Sequence, residues 1–524
     1  MGTRRRFLTT AATGLAVVSV PQLFGCQQTA VLSPAATPPP TPPPTGRPPL
    51  VAVPAGYFEA FGLTTPLLQR VIARGLSRGA DFCEVFVQHR VNHWLGMQDG
   101  AVNQAYAKVE LGAGVRVLKG DATGYAFCED LREEALLAAA ATAAAVADGP
   151  ARITPQALAA ATVASRYAVG VPWTDIGIDK KLPLVQQAEA KAKAADSRIV
   201  KVRVFLEDET ARILVADSEG RLIEDDQPMT SLSVSCVAEH KGRTETSGQS
   251  RASRDGLSFY TPAMVDAVAS EAVAYTVLLF DAVSPPAGEY PVVLAPGLSG
   301  ILLHEAIGHG MEADFNRKGV SVYADRIGTR IAPPHVTIVD DGTNEKMRGS
   351  INIDDEGAAA QRTVLVEGGI LRSYMHDRIS ASHYKVDRTA SGRRESFRFP
   401  PVPRMRNTYM MPGPHKRDEI IASVKKGLYA EMFTNGQVQI GAGDFTFYLK
   451  HGRLIEDGKL TRVVKDANLI GSGPKVLESI DMVADDLEMY SGAGYCGKDG
   501  QRIPVGFGLP TARAGAISVG GRGA

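Results

Sequence analysis

With 524 residues, the chain can build two or three domains and a large core. Its 57 Lys and Arg balance 57 Asp and Glu, so net charge offers no argument for nucleic-acid binding. No apolar run beyond the N-terminal region is long enough to span a bilayer, and 53 glycines suit a turn-rich protein with much β structure.

Residues 1–26 read as an address rather than as part of a fold. Arg4-Arg5-Arg6-Phe7-Leu8 matches the twin-arginine R-R-x-F-L pattern, and a modest apolar stretch follows over residues 11–20. Leu23-Phe24-Gly25-Cys26 resembles a bacterial lipoprotein cleavage box with Cys26 as the lipidated residue. The expectation is export to the cell envelope or periplasm with membrane anchoring through Cys26; a cytoplasmic protein with a merely basic tail is the alternative. Residues 27–54 carry two Pro-Pro-Pro runs, which hold an extended spacer and cannot build a core.

Residues 55–285 alternate helix and strand signals. A helix with Pro66 in its first turn runs to Gly79, followed by an alternating strand over 81–89. A glycine-rich β pair spans 112–118 and 124–127, with turn chemistry at Lys119-Gly120-Asp121. Alanine-rich 132–148 reads as a helix, as do 186–195 and 262–280, while 200–207 and 212–217 read as two strands. His89, His93 and His240 are isolated here, and the region carries no catalytic constellation. Cys83, Cys128 and Cys236 sit in strand-like runs as small buried hydrophobes, and the cysteine spacing forms no disulfide framework.

Pro285-Pro286-Ala287-Gly288 marks a boundary, and 286–524 reads as a mainly β domain. Near its start lies His304-Glu305-Ala306-Ile307-Gly308-His309. The familiar zinc-protease pattern is H-E-x-x-H, whose histidines share a helix face; here the spacing is one residue longer. On a regular α-helix, positions five apart lie about 140° from each other. A single π turn of roughly 4.4 residues brings them back to about 50°, with Gly308 where the backbone would have to yield. The alternative is two unrelated histidines near a helix end. Strands are expected at 336–339, 363–366 and 445–448, and a hairpin turn at Asn435-Gly436. Asp354-Asp355-Glu356 offers a hard-cation site but reads better as a solvated turn.

The run His304-Glu305-Ala306-Ile307-Gly308-His309-Gly310-Met311-Glu312-Ala313-Asp314-Phe315-Asn316-Arg317-Lys318-Gly319 resembles the signature of the TldD/PmbA family. So do Gly349-Ser350-Ile351-Asn352-Ile353-Asp354-Asp355-Glu356-Gly357, Gly392-Arg393-Arg394-Glu395-Ser396, the block from Pro403 to Met410, and Cys496-Gly497-Lys498-Asp499-Gly500-Gln501. The likeness covers nearly all of the chain from about Ala60 and is densest after Pro291. It implies a zinc metallopeptidase with His304, His309 and Cys496 as metal ligands and Glu305 as general base. A catalytic zinc wants three protein ligands and one open position, and a thiolate is a good soft donor. Gly494 and Gly497 let the backbone bend near Cys496, and Lys498 is expected to favour the thiolate. Arg393, Arg394 and Tyr409 are candidates for substrate binding because they lie in family-like blocks.

The fold class expected is therefore α+β: an α/β-rich N-terminal region, then a mainly β catalytic domain carrying the H-E-x-x-x-H helix. The resemblance further implies short or unfolded peptides as substrates, and a homodimer or a heterodimer with a PmbA-like homologue. Family members of this type are usually cytosolic, so the export signal is a departure. Two other functions compete: a non-catalytic envelope scaffold or binding subunit, and a zinc amidohydrolase acting on non-peptide substrates.

Overall fold

A computed structural model describes residues 56–521. Both candidate N-terminal address features, Arg4-Arg5 and Cys26, lie outside the described residues, as does the proline-rich stretch. Among the described residues no helix is long and apolar enough to cross a membrane.

The N-terminal half is a seven-stranded sheet built mainly on four long antiparallel strands, Phe82–Gln98, Ala101–Lys119, Ile199–Asp217 and Arg221–His240. Tight turns set its register. Asp99-Gly100 and Lys241-Gly242 each place two residues at positive φ, the backbone that two-residue hairpins demand. The two strands expected at 200–207 and 212–217 are one, because the polar residues between them stay paired. Asp208, which reads as loop, is anchored in the sheet by Lys181 at 2.8 Å and His93 at 2.8 Å.

Apolar side chains at period two send one face of this sheet against helices. Cys83, Val85 and Val115 pack on Val71, Ile72 and Leu136 from Thr65–Leu76 and Glu133–Ala144. Farther along, Val202, Val204 and Leu232 pack on Val185, Val265 and Val268 from Ile178–Ala195 and Pro262–Leu278. Part of the opposite face is covered as well. Phe86, Ile213 and Val215 pack on Ile353 and Phe397 of the C-terminal half.

That half contains two larger sheets. One is a six-stranded mixed sheet centred on Ile338–Asp341, Asn407–Met410 and Gly506–Leu509. The other runs through Lys459–Ser472, Asp444–Glu456, Lys426–Gln439, Gly288–Leu294 and Ala512–Gly521, and the last of these pairs back on the first. The ring is closed, which removes exposed strand edges along the joined stretch. The expected turn at Asn435-Gly436 is instead strand interior, and the chain reverses over residues 440–443. Gly436 lies where a Cβ would overlap the Phe447 ring of the neighbouring strand. Cross-strand packing thus decides a position whose local chemistry favours a turn.

The halves are joined by buried charge. Arg116 lies 2.8 Å from Glu84 and 2.6 Å from Glu356, and Arg394 lies 2.5 Å from Glu84. All four side chains are fully buried. The 354–356 segment is therefore not the solvated turn expected. Asp354 is also buried and accepts the amides of Glu356, Ala358 and Gly392, which satisfies its oxygens without a cation.

Candidate metal centre

Gly300–Leu303 is a short α-helix that passes without a break into a π turn over His304–Gly308 and a 3-10 turn over His309–Met311. The His309 amide donates to the His304 carbonyl, five residues back. Leu302, Leu303, Ala306 and Ile307 anchor the segment in the large C-terminal core. The widened turn brings the two imidazoles together, with ring centroids 5.2 Å apart. Gly308 has ordinary helical torsions, φ −57° and ψ −51°. Its lack of a side chain serves packing rather than backbone freedom, because a Cβ there would overlap the Met405 sulfur.

Cys496 arrives from the hairpin Tyr495–Lys498 and Gln501–Pro504, turned at Asp499-Gly500, where both residues have positive φ. Arg404 donates to the Cys496 carbonyl at 2.7 Å and fixes the strand. The Cys496 Sγ stands 3.3 Å from His309 Nε2. One donor atom from each of His304, His309 and Cys496 lies within 4.8 Å of the others, and all three residues are buried. Neither ring nitrogen of His304 has a hydrogen-bond partner among the described residues. A buried imidazole left in that way is costly unless something else takes its lone pair. Two nitrogens and a sulfur are a zinc donor set, and tetrahedral bonds of about 2.0–2.3 Å put ligand atoms about 3.5 Å apart. The residues present fit such an ion.

Glu312 completes the arrangement, and sequence reasoning did not single it out. Its Oε2 is 2.9 Å from His309 Nδ1, so the other ring nitrogen, Nε2, faces Cys496. Lys498 approaches Glu312 at 3.2 Å and Asp314 at 2.7 Å. Burial alone would raise the Glu312 carboxyl; Lys498 and His309 reverse that and hold it at about 2. The available signal was a glutamate three residues after the second histidine, within reach of it on one helical turn. Lys498 thus serves Glu312 and Asp314, not the thiolate as expected. Burial also works against ionising Cys496, but the charges of His304 and His309 outweigh it and pull the thiol well below its ordinary range.

Glu305 lies beside the three residues, its Oε2 3.9 Å from His309 Nε2 and its side chain partly exposed. Burial raises its carboxyl above the usual range, partly offset by His304 and His309. That suits a group that must accept and release a proton.

The other candidate site residues lie outside the cluster, and Arg393 and Arg394 line a cavity between the N-terminal sheet and the C-terminal loops. Arg393 donates to the carbonyls of Met405 at 2.6 Å and Pro504 at 2.9 Å. Arg394 is bound to Glu84, and the Tyr409 hydroxyl donates to Asp341 at 3.1 Å. These contacts identify no oxyanion donor.

Three family profiles match the chain: the PmbA/TldA metallopeptidase domain 1 over residues 83–147, the central domain over 171–280 and the C-terminal domain over 287–521. A Haemophilus influenzae protein named metalloprotease TldD homolog is 39% identical over 466 residues, covering 88% of this chain and 97% of that protein. A Buchnera aphidicola protein of the same name is 37% identical over 448 residues, covering 84% and 93%. A Saccharolobus solfataricus zinc metalloprotease TldD homolog is 34% identical over 239 residues, covering 45% and 53%. Among solved structures, TldE from Thermococcus kodakarensis superposes with a TM-score of 0.67 at 16% identity, covering 87% of this chain and all of that one (100%).

Proposed function

The chain belongs to the TldD/PmbA metallopeptidase family, and from that premise we propose that it is a zinc-dependent peptidase acting on peptides or unfolded polypeptides. The observation that carries this reading is the convergence of His304, His309 and Cys496 within 4.8 Å, with His304 lacking any other partner among the described residues. The thiolate and imidazole donor set favours zinc over hard cations, and the name of the Saccharolobus relative supports the same metal.

His304, His309 and Cys496 would hold a zinc ion, which would supply Lewis acidity toward a peptide carbonyl. Glu305, poised beside them with a raised pKa, takes the proton of the attacking water and delivers it to the leaving amine. Glu312 fixes the orientation of His309, and Arg404 fixes the strand that carries Cys496.

Zinc content and peptide cleavage, measured together, test the reading. Glu305→Ala is expected to keep zinc and lose turnover, whereas Cys496→Ser loses most of its zinc. Full activity in Glu305→Ala refutes the general-base role, and unchanged zinc in Cys496→Ser removes the third ligand. The proposal extends to the envelope, on the strength of Arg4-Arg5 and Cys26. Unaltered fractionation after both arginines become lysine would refute that part.

A further inference from the structure

The strand Ala101–Lys119 pairs with Phe82–Gln98 along its whole length on one side. On its other side the neighbouring strand, Ala122–Cys128, joins only from Ala113 onward. Residues 101–109 are therefore a sheet edge, and all nine are exposed. Val109 is 62% exposed and Tyr106 54%. Tyr106 stacks on Trp94 of the adjoining strand, with ring centroids 4.8 Å apart. Glu110 anchors the arm, pairing with Arg398 of the C-terminal half at 2.6 Å and with Lys108 at 3.0 Å.

A row of free backbone N–H and C=O groups is a template for another strand, and native proteins blunt it with cover, charge or bulges. Elsewhere this chain does so. The ring of the C-terminal half closes on itself, and Ser491 meets the far edge of the N-terminal sheet by accepting the Ala252 amide at 2.7 Å. On the bare edge the device is a bulge: Gly96 faces Gln104 and Met97 faces Val102, which leaves Asn103 over. Beyond it the run from Gln104 to Glu110 is regular, without proline, and its charges are Lys108 and Glu110.

This run is complementary to itself. In an antiparallel pair, residues directly opposite share a face. A two-fold axis through Ala107 sets Ala105 against the partner's Val109, and Ala107 against the partner's Ala107, an apolar stripe on one face. On the other face Tyr106 meets the partner's Lys108, a cation over an aromatic ring. Gln104 meets the partner's Glu110, an amide donor against a carboxylate. No like charges stand opposite each other. An isologous contact of this kind closes at two copies.

We propose that a second copy of this chain docks on this edge, antiparallel and two-fold symmetric about Ala107, so that one sheet runs through both molecules. The inference rests on the strand edge alone and is independent of the metal centre.

The test uses the full chain. Light scattering over a concentration series is expected to show a dimer. Ala107→Lys and Ala107→Glu each place like charges on the axis at an exposed position, and each should weaken self-association at least about tenfold. An equimolar mixture of the two should restore it. Ala107→Cys should form an interchain disulfide under mild oxidation, because opposite residues have Cα atoms about 4.5–5.5 Å apart. Ala105→Cys faces Val109 instead and should not, with wild type as the background for the five native cysteines. A wild-type chain that stays monomeric would overturn the proposal. So would a dimer that both charged variants leave intact, or equal cross-linking of the two cysteine variants. Should a charged variant fail to fold, the cysteine pair decides alone.

Discussion

Glu312 holds His309 at Nδ1 and is itself held by Lys498, so the ring nitrogen that faces Cys496 is chosen by a chain of buried contacts. Removing the charge of such a supporting carboxylate typically weakens metal affinity about 10–100-fold. Glu312→Gln is expected to show that loss in competition with a chelator; unchanged affinity would mean that packing alone orients His309. A second residue reports on stability. Burial depresses the His376 imidazole from 6.5 to about 4. A depressed folded pKa contributes stability that is present above pH ~6.5 and is lost as pH falls toward 4, about 3 kcal/mol in all. His376→Phe should flatten the urea-derived stability over that window relative to wild type. Parallel pH profiles for the two proteins would remove His376 as a source of acid sensitivity.

The π turn is the element that the motif's spacing demanded, and it occurs at His304–Gly308. Its packing could not be read from spacing. Gly308 is tightly covered by Met405, which comes from a different strand region of the chain. Gly308→Ala should cost about 1–3 kcal/mol through overpacking, and Met405→Ala in the same protein should restore part of that loss. Additive destabilisation in urea unfolding would place the cost of the methyl elsewhere. The Asn435-Gly436 expectation failed at this same scale. Local turn chemistry was present, but pairing along Lys426–Gln439 and the Phe447 ring beside Gly436 outweighed it.

Across the whole molecule, the sheet of one half packs on the other through Phe86, Ile353 and Phe397 and through the Glu84–Arg116–Glu356–Arg394 network. Arg116→Met leaves two buried carboxylates short of a counterion and is expected to cost about 3–5 kcal/mol. Urea unfolding followed by Trp94 and Trp173 fluorescence measures it; a loss below ~1 kcal/mol would show that Arg394 alone compensates Glu84. The same network explains why the 354–356 triplet misled. Three acidic residues beside glycine look solvated until the second half of the chain closes over them.

Much of the protein was legible in sequence because it is locally encoded. Period-two and period-3.6 patterns located the long helices and several strands but missed long ones such as Arg221–His240 and Lys459–Ser472, and five-residue spacing of two histidines required a π turn if both were to face one point. The partners of those histidines were not encoded in that way. Cys496 lies 187 residues beyond His309, and its place was drawn from family likeness rather than from any pattern in the residues between. Glu312, Lys498 and Arg404 acquired their contacts, and Arg393, Arg394 and Tyr409 their hydrogen-bond partners, only when distant strands closed around them. Backbone period is a property of neighbours along the chain. Burial and charge pairing sum over everything that surrounds a group in space, and only the tertiary structure decided them.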